Sequence, residues 1–154
     1  MPSPIGDLLT VADEDAVKEI YFPSKNMQPH TSWREGSPLL TRVARQFKEY
    51  FAGKRKQFDL PLAPDGTEFQ QAVWQELVRI EYGKTISYSE LARRIKRPRA
   101  VRAVGAANGA NPIPVVIPCH RVIGKNGTLT GFGGGLPVKQ QLLELEECRL
   151  PFSN

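Results

Sequence analysis

The 154-residue chain is 40% hydrophobic and 24% charged, and it carries a formal net charge of +5 at pH 7. These values are typical of a globular protein with one domain or two small ones, and they exclude disordered and collagen-like chains. No apolar stretch reaches the ~20 residues that span a bilayer, and residues 1–10 lack the pattern of a signal peptide, so we expect a cytoplasmic protein without membrane contact.

The chain begins with a predicted β-hairpin. Residues 8–12 and 17–22 are apolar runs, and the acidic residues 13–15 between them indicate a turn. Residues 23–37 contain few apolar side chains and predict a loop.

A helix and a further strand are predicted next. Ser37 supplies an N-cap and Pro38 occupies the first helical position, after which apolar residues recur at helical spacing as far as Phe51. Gly53 is a plausible stop for this helix. Residues 58–62 could form another strand.

A turn-rich segment at residues 63–66 predicts a boundary between two domains, residues 1–64 and 65–154. Directly after it, Thr67 and Gln70 form a capping box that begins a helix. That helix is expected to end at residues 82–84.

Two short helices follow, and together they indicate a helix-turn-helix. Ser87 and Glu90 form a second capping box, residues 96–98 interrupt the helix, and residues 100–108 predict a third helix. A tight turn between two short helices is the pattern of this DNA-binding motif.

Basic residues cluster around this turn, and the third helix has small side chains. The cations are Arg93, Arg94, Lys96, Arg97, Arg99 and Arg102. They form either a solvated surface or a contact for a polyanion. The small residues suit either tight packing or close approach to a narrow surface such as the minor groove, because reading the major groove needs long polar side chains.

The histidines and cysteines argue against a structural zinc site. The chain has two of each: His30, His120, Cys119 and Cys148. Such a site would need all four, and their spacing is not that of zinc ligands. A disulfide would be unusual in a reducing compartment.

Cys119 is therefore free to react. It follows residues 113–117, which resemble a short buried strand or extended segment stiffened by prolines. It is either an inert buried side chain or a nucleophile. Its neighbours His120 and Arg121 favour the nucleophile, because positive charge lowers the pKa of a thiol.

A carboxylate and a glycine loop lie further along the chain. Glu146 falls four residues after Leu142 on an apolar helical face, so it is either an inward carboxylate paired with a histidine or a surface residue at the helix edge. The glycine loop at residues 131–135 lacks the Lys-Ser/Thr pair of a phosphate-binding loop, and we interpret it as a mobile loop whose backbone approaches a base.

The segment from Pro118 to Val122 reads Pro-Cys-His-Arg-Val and closely resembles the acceptor motif of the O6-alkylguanine-DNA alkyltransferases. Other positions that keep this family's order and spacing are Tyr88, Arg102, Asn111, the glycine loop and Glu146. The resemblance covers residues 66–151, with a weaker match at residues 3–6.

The resemblance implies an α+β fold with two domains. Residues 1–64 would form a small α/β domain of the ribonuclease H-like type. Residues 65–154 would form a mainly helical domain with a helix-turn-helix of the winged-helix type. The resemblance also implies a monomer without cofactor or metal, whose partner is double-stranded DNA carrying O6-alkylguanine.

The implied reaction is an irreversible transfer of the alkyl group from O6-alkylguanine, and from O4-alkylthymine, to Cys119 without turnover. His120 would remove the thiol proton, and Glu146 would orient His120. Tyr88 would protonate the departing guanine, and Asn111 would hold the turn beneath Cys119.

The resemblance further implies that the damaged base rotates out of the duplex. Arg102 would fill the vacated position while Ala103 enters the minor groove. The other expected DNA contacts are Thr85, Ser87, Arg94, Arg97 and Arg99. The expected pocket residues are Asn108, Val122, Phe132 and Gly133.

Three other functions match parts of this pattern. A relative that binds the lesion without reacting would lack the acceptor cysteine, which is present here as Cys119. A Cys-His hydrolase would need an oxyanion hole and an acyl substrate, and the basic helix would have no purpose. A helix-turn-helix regulator of this family would carry a cysteine-bearing zinc domain, for which this sequence has too few cysteines.

Overall fold

A computed structural model describes residues 3–22, 37–124 and 135–146 of the chain. Within these ranges the structure is α+β, with short strands and five helices. In chain order the elements are β1 (Leu9–Ala12), β2 (Val17–Tyr21), α1 (Pro38–Phe51), α2 (Glu68–Val78), β3 (Ile86–Ser87), α3 (Tyr88–Arg94), α4 (Val101–Gly109), a 3₁₀ turn (Cys119–Arg121), β4 (Val122–Ile123) and α5 (Leu136–Leu145). None of these described helices is long and apolar enough to cross a membrane.

The N-terminal hairpin is confirmed. Strands β1 and β2 pair antiparallel, with Leu9 opposite Tyr21. The Asp13 carboxylate closes the turn, because it accepts hydrogen bonds from the backbone N–H groups of Asp15 and Ala16, each at 2.8 Å. The loop expected at residues 23–37 lies outside the described residues except for Ser37.

Helix α1 begins and ends where the sequence predicts. The Ser37 hydroxyl accepts from the Leu40 N–H at 3.0 Å, and Pro38 is the first helical residue. Gly53 follows the helix with a φ of +75°, a conformation that suits glycine. The buried face of α1 packs against the hairpin and consists of Leu39, Val43, Gln46, Phe47 and Tyr50.

The strand expected at residues 58–62 is absent from this described segment. Instead an isolated parallel bridge joins Leu62 to Val17 of β2: the Val17 N–H donates to the Pro61 carbonyl at 2.8 Å, and the Ala63 N–H donates to the Val17 carbonyl at 2.9 Å. Pro61 and Pro64 cannot donate to a sheet, which explains why pairing does not extend beyond this point.

Residues 113–117 are also not a strand, although they are buried as expected. They form a turn in which the Ile117 N–H donates to the Ile113 carbonyl at 2.9 Å. Val115 has a φ of +74°, and the segment is bordered by Pro112 and Pro118. Prolines remove donors from a strand, so a compact turn replaces the extended segment.

The helices after residue 66 follow the predicted order. Both halves of the Thr67–Gln70 capping box are formed at the start of α2. This helix ends at Val78, earlier than the predicted stop at residues 82–84. Ser87 caps α3 by accepting from the Glu90 N–H at 3.0 Å.

The third predicted helix, α4, agrees with the expected range to within a residue at each end. Helices α2, α3 and α4 pack against one another. The Trp74 indole on α2 donates to the Ala107 carbonyl on α4 at 2.8 Å. Between α3 and α4, Lys96 has a φ of +63°.

A short parallel pairing positions the Cys119 turn. Ile86 of β3 pairs with Val122 of β4, and Ser87 pairs with Ile123. Because α3 begins directly after β3 and the turn directly precedes β4, the pairing brings the turn to the start of α3. Helix α5 packs against the same turn.

Candidate active site

Cys119 lies at the start of the 3₁₀ turn, with only 5% of its surface exposed. Both polar atoms of the Asn111 side chain bind the segment that precedes Cys119. Its Nδ2 donates to the Ile117 carbonyl at 2.7 Å, and its Oδ1 accepts from the Ile113 N–H at 2.9 Å. The backbone before Cys119 is therefore fixed by a side chain six residues away.

The expectation that cationic neighbours lower the pKa of Cys119 is wrong for this structure. Burial raises the pKa of the thiol to about 11, although a hydrogen bond from Asn111 and the charge of Lys139 oppose the shift. The guanidinium of Arg121 is hydrogen-bonded to Glu146 and therefore does not stabilise a thiolate at Cys119. The resting thiol is protonated at neutral pH, and a reaction at sulfur needs a base.

His120 can be that base. It has no exposed surface, and its Nε2 lies 2.8 Å from Oε2 of Glu146. An ionised carboxylate can only accept, so Nε2 carries the proton in a neutral imidazole. The other ring nitrogen, Nδ1, is buried and has no partner among the described residues. Burial lowers the pKa of His120, although the hydrogen bond that His120 donates to Glu146 opposes the shift, and this keeps Nδ1 free to accept a proton near pH 7.

Glu146 lies directly after α5 and is 1% exposed, so the inward alternative holds rather than the surface one. Burial alone would raise its pKa. The hydrogen bonds and charges of His120 and Arg121 outweigh burial and lower the pKa of Glu146 to about 2. The site therefore contains an ionised carboxylate beside a neutral imidazole.

Two partners of Glu146 were not identified from the sequence. Arg121 donates through Nε to Oε1 at 2.7 Å and through Nη2 to Oε2 at 3.0 Å. Tyr50 donates from α1 to Oε2 at 2.5 Å. A tyrosine on the buried face of an amphipathic helix signals that its hydroxyl needs a partner, but the sequence does not say which one.

Lys139 is a third residue that the sequence analysis missed. It is fully buried on α5, where its Nζ donates to the Val122 carbonyl at 2.6 Å. Its Nζ also lies 6.0 Å from the centre of the Tyr88 ring. Burial lowers the pKa of Lys139 to about 8, and interaction with Cys119 opposes the shift. Lys139 precedes the apolar Leu142 by three positions, and this helical spacing could have predicted that Lys139 lies on the buried face.

Other predicted site residues surround this centre. Tyr88 is the first residue of α3 and lies against α4 at Gly105. Asn108 is buried on α4, and its Nδ2 lies 3.4 Å from the Cys119 carbonyl oxygen. Val122 is buried in β4. The predicted pocket residues Phe132 and Gly133, and also Cys148, lie outside the described residues.

The predicted DNA contacts lie on and next to α3 and α4. Thr85 and Ser87 are half-buried. The exposed members are Arg94, Arg97, Arg99, Arg102 and Ala103. Arg94 pairs with Glu90 at 3.1 Å, whereas the structure records no acidic partner for Arg97, Arg99 or Arg102 among the residues it describes. Free cations therefore cluster on the surface beside α4.

In the described part of the chain, no group of three or more His, Cys, Asp or Glu side chains could hold a metal ion.

Two family models match the chain. The model described as 6-O-methylguanine DNA methyltransferase, ribonuclease-like domain, matches residues 1–64, and that described as 6-O-methylguanine DNA methyltransferase, DNA binding domain, matches residues 68–148.

Individual proteins are also similar along almost the whole chain. The methylated-DNA--protein-cysteine methyltransferase of Methanosarcina acetivorans is 49% identical over 146 residues, which cover 94% of each chain. That of Haemophilus influenzae is 48% identical, covering 95% of this chain and 83% of its own. The crystal structure of Mycobacterium tuberculosis OGT in complex with DNA superposes with a TM-score of 0.87 at 43% identity, covering 99% of this chain and 93% of that one.

Proposed function

Because the chain belongs to the 6-O-methylguanine DNA methyltransferase family, we propose that it repairs DNA by transferring the alkyl group of O6-alkylguanine to Cys119. The observation that carries the proposal is the buried pair of His120 and Glu146 beside a buried thiol. That arrangement supplies a nucleophile, a base and a group that orients the base.

The proposed reaction begins with proton transfer from the Cys119 thiol to Nδ1 of His120, directly or through water. The sulfur attacks the alkyl carbon in line, so a C–S bond forms while the bond from that carbon to O6 breaks. The bonding electrons leave with guanine, and Tyr88 supplies a proton to the departing base. Glu146 stabilises the imidazolium, and the low pKa of Glu146 suits this role because the carboxylate is ionised when the imidazolium forms.

Backbone carbonyls are proposed to hold the extruded base. The carbonyls of Cys119 and Val122 accept from the guanine amine. The Val122 carbonyl already accepts from Lys139, but a carbonyl oxygen has a second lone pair for the base. Asn108 and Phe132 line the pocket, and an amide near Gly133 faces O6.

We propose that residues 1–64 form a ribonuclease H-like domain and residues 65–154 a DNA-binding domain with a winged-helix type of helix-turn-helix, α3 and α4. The exposed small face of α4, including Ala103, enters the minor groove. Arg102 fills the position of the flipped base. Phosphate contacts come from Thr85, Ser87, Arg94, Arg97 and Arg99.

The reaction is proposed to occur once per molecule. An S-alkyl cysteine is a stable thioether that water does not cleave, so the protein shows no steady-state turnover. We propose a cytoplasmic monomer that needs no cofactor and that also accepts O4-alkylthymine.

Intact-protein mass spectrometry with a duplex containing one O6-methylguanine tests the proposal. We expect a stoichiometric gain of one methyl group, mapped by peptide mass to Cys119 rather than Cys148, and no gain in Cys119→Ser. Tight binding without a mass change would instead indicate a lesion-binding protein. The absence of both binding and transfer would overturn the proposal.

A further inference from the structure

Tyr50 connects the N-terminal part of the chain to the catalytic carboxylate. It lies on α1, and its hydroxyl donates to Oε2 of Glu146 at 2.5 Å across 96 positions of sequence. Tyr50 is 0% exposed and Glu146 is 1% exposed. Solvent does not compete for either group in this structure, so the hydrogen bond belongs to the buried site.

The phenol of Tyr50 is held by aromatic neighbours. Its ring centre lies 5.2 Å from that of Phe51, 5.3 Å from that of Phe58 and 6.4 Å from that of Tyr82. Burial raises the pKa of Tyr50, and the adjacent charge of Glu146 raises it further. The hydroxyl therefore stays neutral and acts as a donor near neutral pH.

Oε2 of Glu146 is shared by three donors. It accepts from Tyr50 at 2.5 Å, from Nε2 of His120 at 2.8 Å and from Nη2 of Arg121 at 3.0 Å. A donor on one side of an oxygen reduces the negative charge that the oxygen offers to the others. Tyr50 thus affects how strongly Glu146 attracts the proton of His120.

We propose that Tyr50 is a positioning residue for alkyl transfer, which sets through Oε2 of Glu146 the orientation and basicity of His120. The inference rests on the proposed function. It adds that the N-terminal part of the chain contributes a hydrogen bond to the active site, in addition to any role in packing.

The proposal predicts a specific change when the hydroxyl is removed. In Tyr50→Phe, Oε2 binds the imidazolium more strongly, so the pKa of His120 rises. Alkyl transfer needs the neutral imidazole, and its rate on the acidic limb of the pH profile falls about 3- to 10-fold, a shift of about half to one unit. The rate on the plateau above that limb stays within about twofold. The other charged groups that act on His120 stay unchanged: Glu146, Arg121 and Lys139.

Tyr82→Phe is the matched control. Its hydroxyl donates to the Leu145 carbonyl at 3.2 Å, next to Glu146 but not to its carboxylate. The same atom is removed from a neighbouring ring, and we expect the acidic limb of the profile to stay in place.

Single-turnover transfer from an O6-methylguanine duplex, measured from pH 4.5 to 9, is the test. Tyr50→Leu is included because the limb must shift in both Tyr50 variants if the hydroxyl is responsible. NMR titration of the His120 ring without DNA, assigned with His30→Gln, measures the pKa independently of activity. Failure of the wild-type protein to transfer would refute only the proposed function. An unshifted limb and unshifted His120 titration in Tyr50→Phe, or an equal shift in Tyr82→Phe, would overturn the inference.

Discussion

Arg121 and Glu146 form a bidentate ion pair in the interior of the protein, with Nε to Oε1 at 2.7 Å and Nη2 to Oε2 at 3.0 Å. Arg121 also donates through Nη1 to the Ile80 carbonyl at 2.6 Å. The pair thus joins the Cys119 turn, the end of α5 and the segment after α2. Removing one partner of such a pair leaves an uncompensated buried charge, at a cost of about 3–5 kcal/mol.

This pair makes stability depend on pH. The pKa of Glu146 is about 2 in the folded protein against a reference of 4.5. Its stabilisation is therefore complete above about pH 5 and is lost as the pH falls towards 2, a loss of about 3 kcal/mol. The lowered pKa of His120 also reduces stability as the pH falls below 6.5. In that range the imidazole gains a proton in the unfolded chain before it does so in the folded protein. Urea unfolding at a series of pH values measures the effect.

Glu90→Gln provides the comparison for this titration. The pKa of Glu90 is also lowered, by hydrogen bonds from Arg93 and Arg94, but the group lies on the exposed side of α3. Exposed pairs contribute little, so the acid loss of stability should be almost unchanged in this variant. A wild-type free energy of unfolding that stays level down to pH 3 would contradict the prediction.

The raised pKa of Cys119 predicts a thiol that reacts slowly with added electrophiles. With a pKa of about 11 rather than 9.0, the thiolate fraction at pH 7.5 is roughly 100-fold lower than in an ordinary cysteine. Iodoacetamide should modify Cys119 at least about 100-fold more slowly in the folded protein than in urea, with a rate that rises towards pH 11. Peptide mapping separates Cys119 from Cys148. Rapid modification of folded protein at pH 7, independent of pH, would show that the thiolate is already present.

Lys139→Met should make this thiol less acidic still. Methionine is similar to lysine in length, but it lacks the cation that favours the thiolate and the donor to the Val122 carbonyl. We expect iodoacetamide modification of Cys119 near pH 7, where Lys139 is protonated, to slow about 3- to 10-fold, equivalent to half to one pKa unit.

Lys84→Met is the control for charge alone, since Lys84 is exposed. It should leave the modification rate of Cys119 unchanged. If Lys139→Met also leaves it unchanged, then Lys139 has no electrostatic effect on the sulfur.

Gly66→Ala should destabilise the protein. A Cβ at Gly66 would lie 2.5 Å from Cη2 of Trp74, whose indole is buried and hydrogen-bonded to Ala107. The ring cannot move without losing that contact, so the expected loss in free energy of unfolding is about 1–3 kcal/mol.

Gly109→Ala is the matched control for Gly66→Ala. A Cβ on this last residue of α4 meets nothing within 4 Å. Alanine is the better helix former, so we expect stability to be unchanged or higher by up to about 1 kcal/mol. Equal effects of the two substitutions in urea unfolding would exclude the contact with Trp74 as the cause.

The exposed arginines predict a salt-dependent affinity for DNA. Arg97→Ala and Arg99→Ala should each weaken binding to any sequence and reduce the slope of log K against log salt by about 0.9. Arg102→Ala should slow transfer from a duplex but not from a free O6-alkylguanine base, because only the duplex requires flipping. Fluorescence anisotropy at several salt concentrations and single-turnover rates measure these effects.

Arg42→Ala is the control for these arginines, since Arg42 lies on α1 and pairs with Asp59 at 3.2 Å. It removes the same charge from another surface, and the salt slope should not change. A slope reduced equally by Arg42→Ala would mean that net charge, and not a defined contact surface, determines binding.

The sequence alone determined the features that depend on residues close together in the chain. The caps at Ser37, Thr67 and Ser87 located three helices, because a cap is a contact between residues three positions apart. The failures at residues 58–62 and 113–117 were local too: prolines withheld the donors that a strand requires. The Pro-Cys-His-Arg-Val motif, with the other positions that keep the family's spacing, indicated the family and the proposed acceptor Cys119.

Tertiary structure alone decided which side chains meet and how they ionise. Tyr50 reaches Glu146 across 96 positions, and Arg121 turns to that carboxylate rather than to the neighbouring sulfur. Burial, which depends on all the surrounding elements, raises the pKa of Cys119 instead of lowering it. Desolvation and long-range pairing are properties of the packed chain, and no spacing in the sequence encodes them directly.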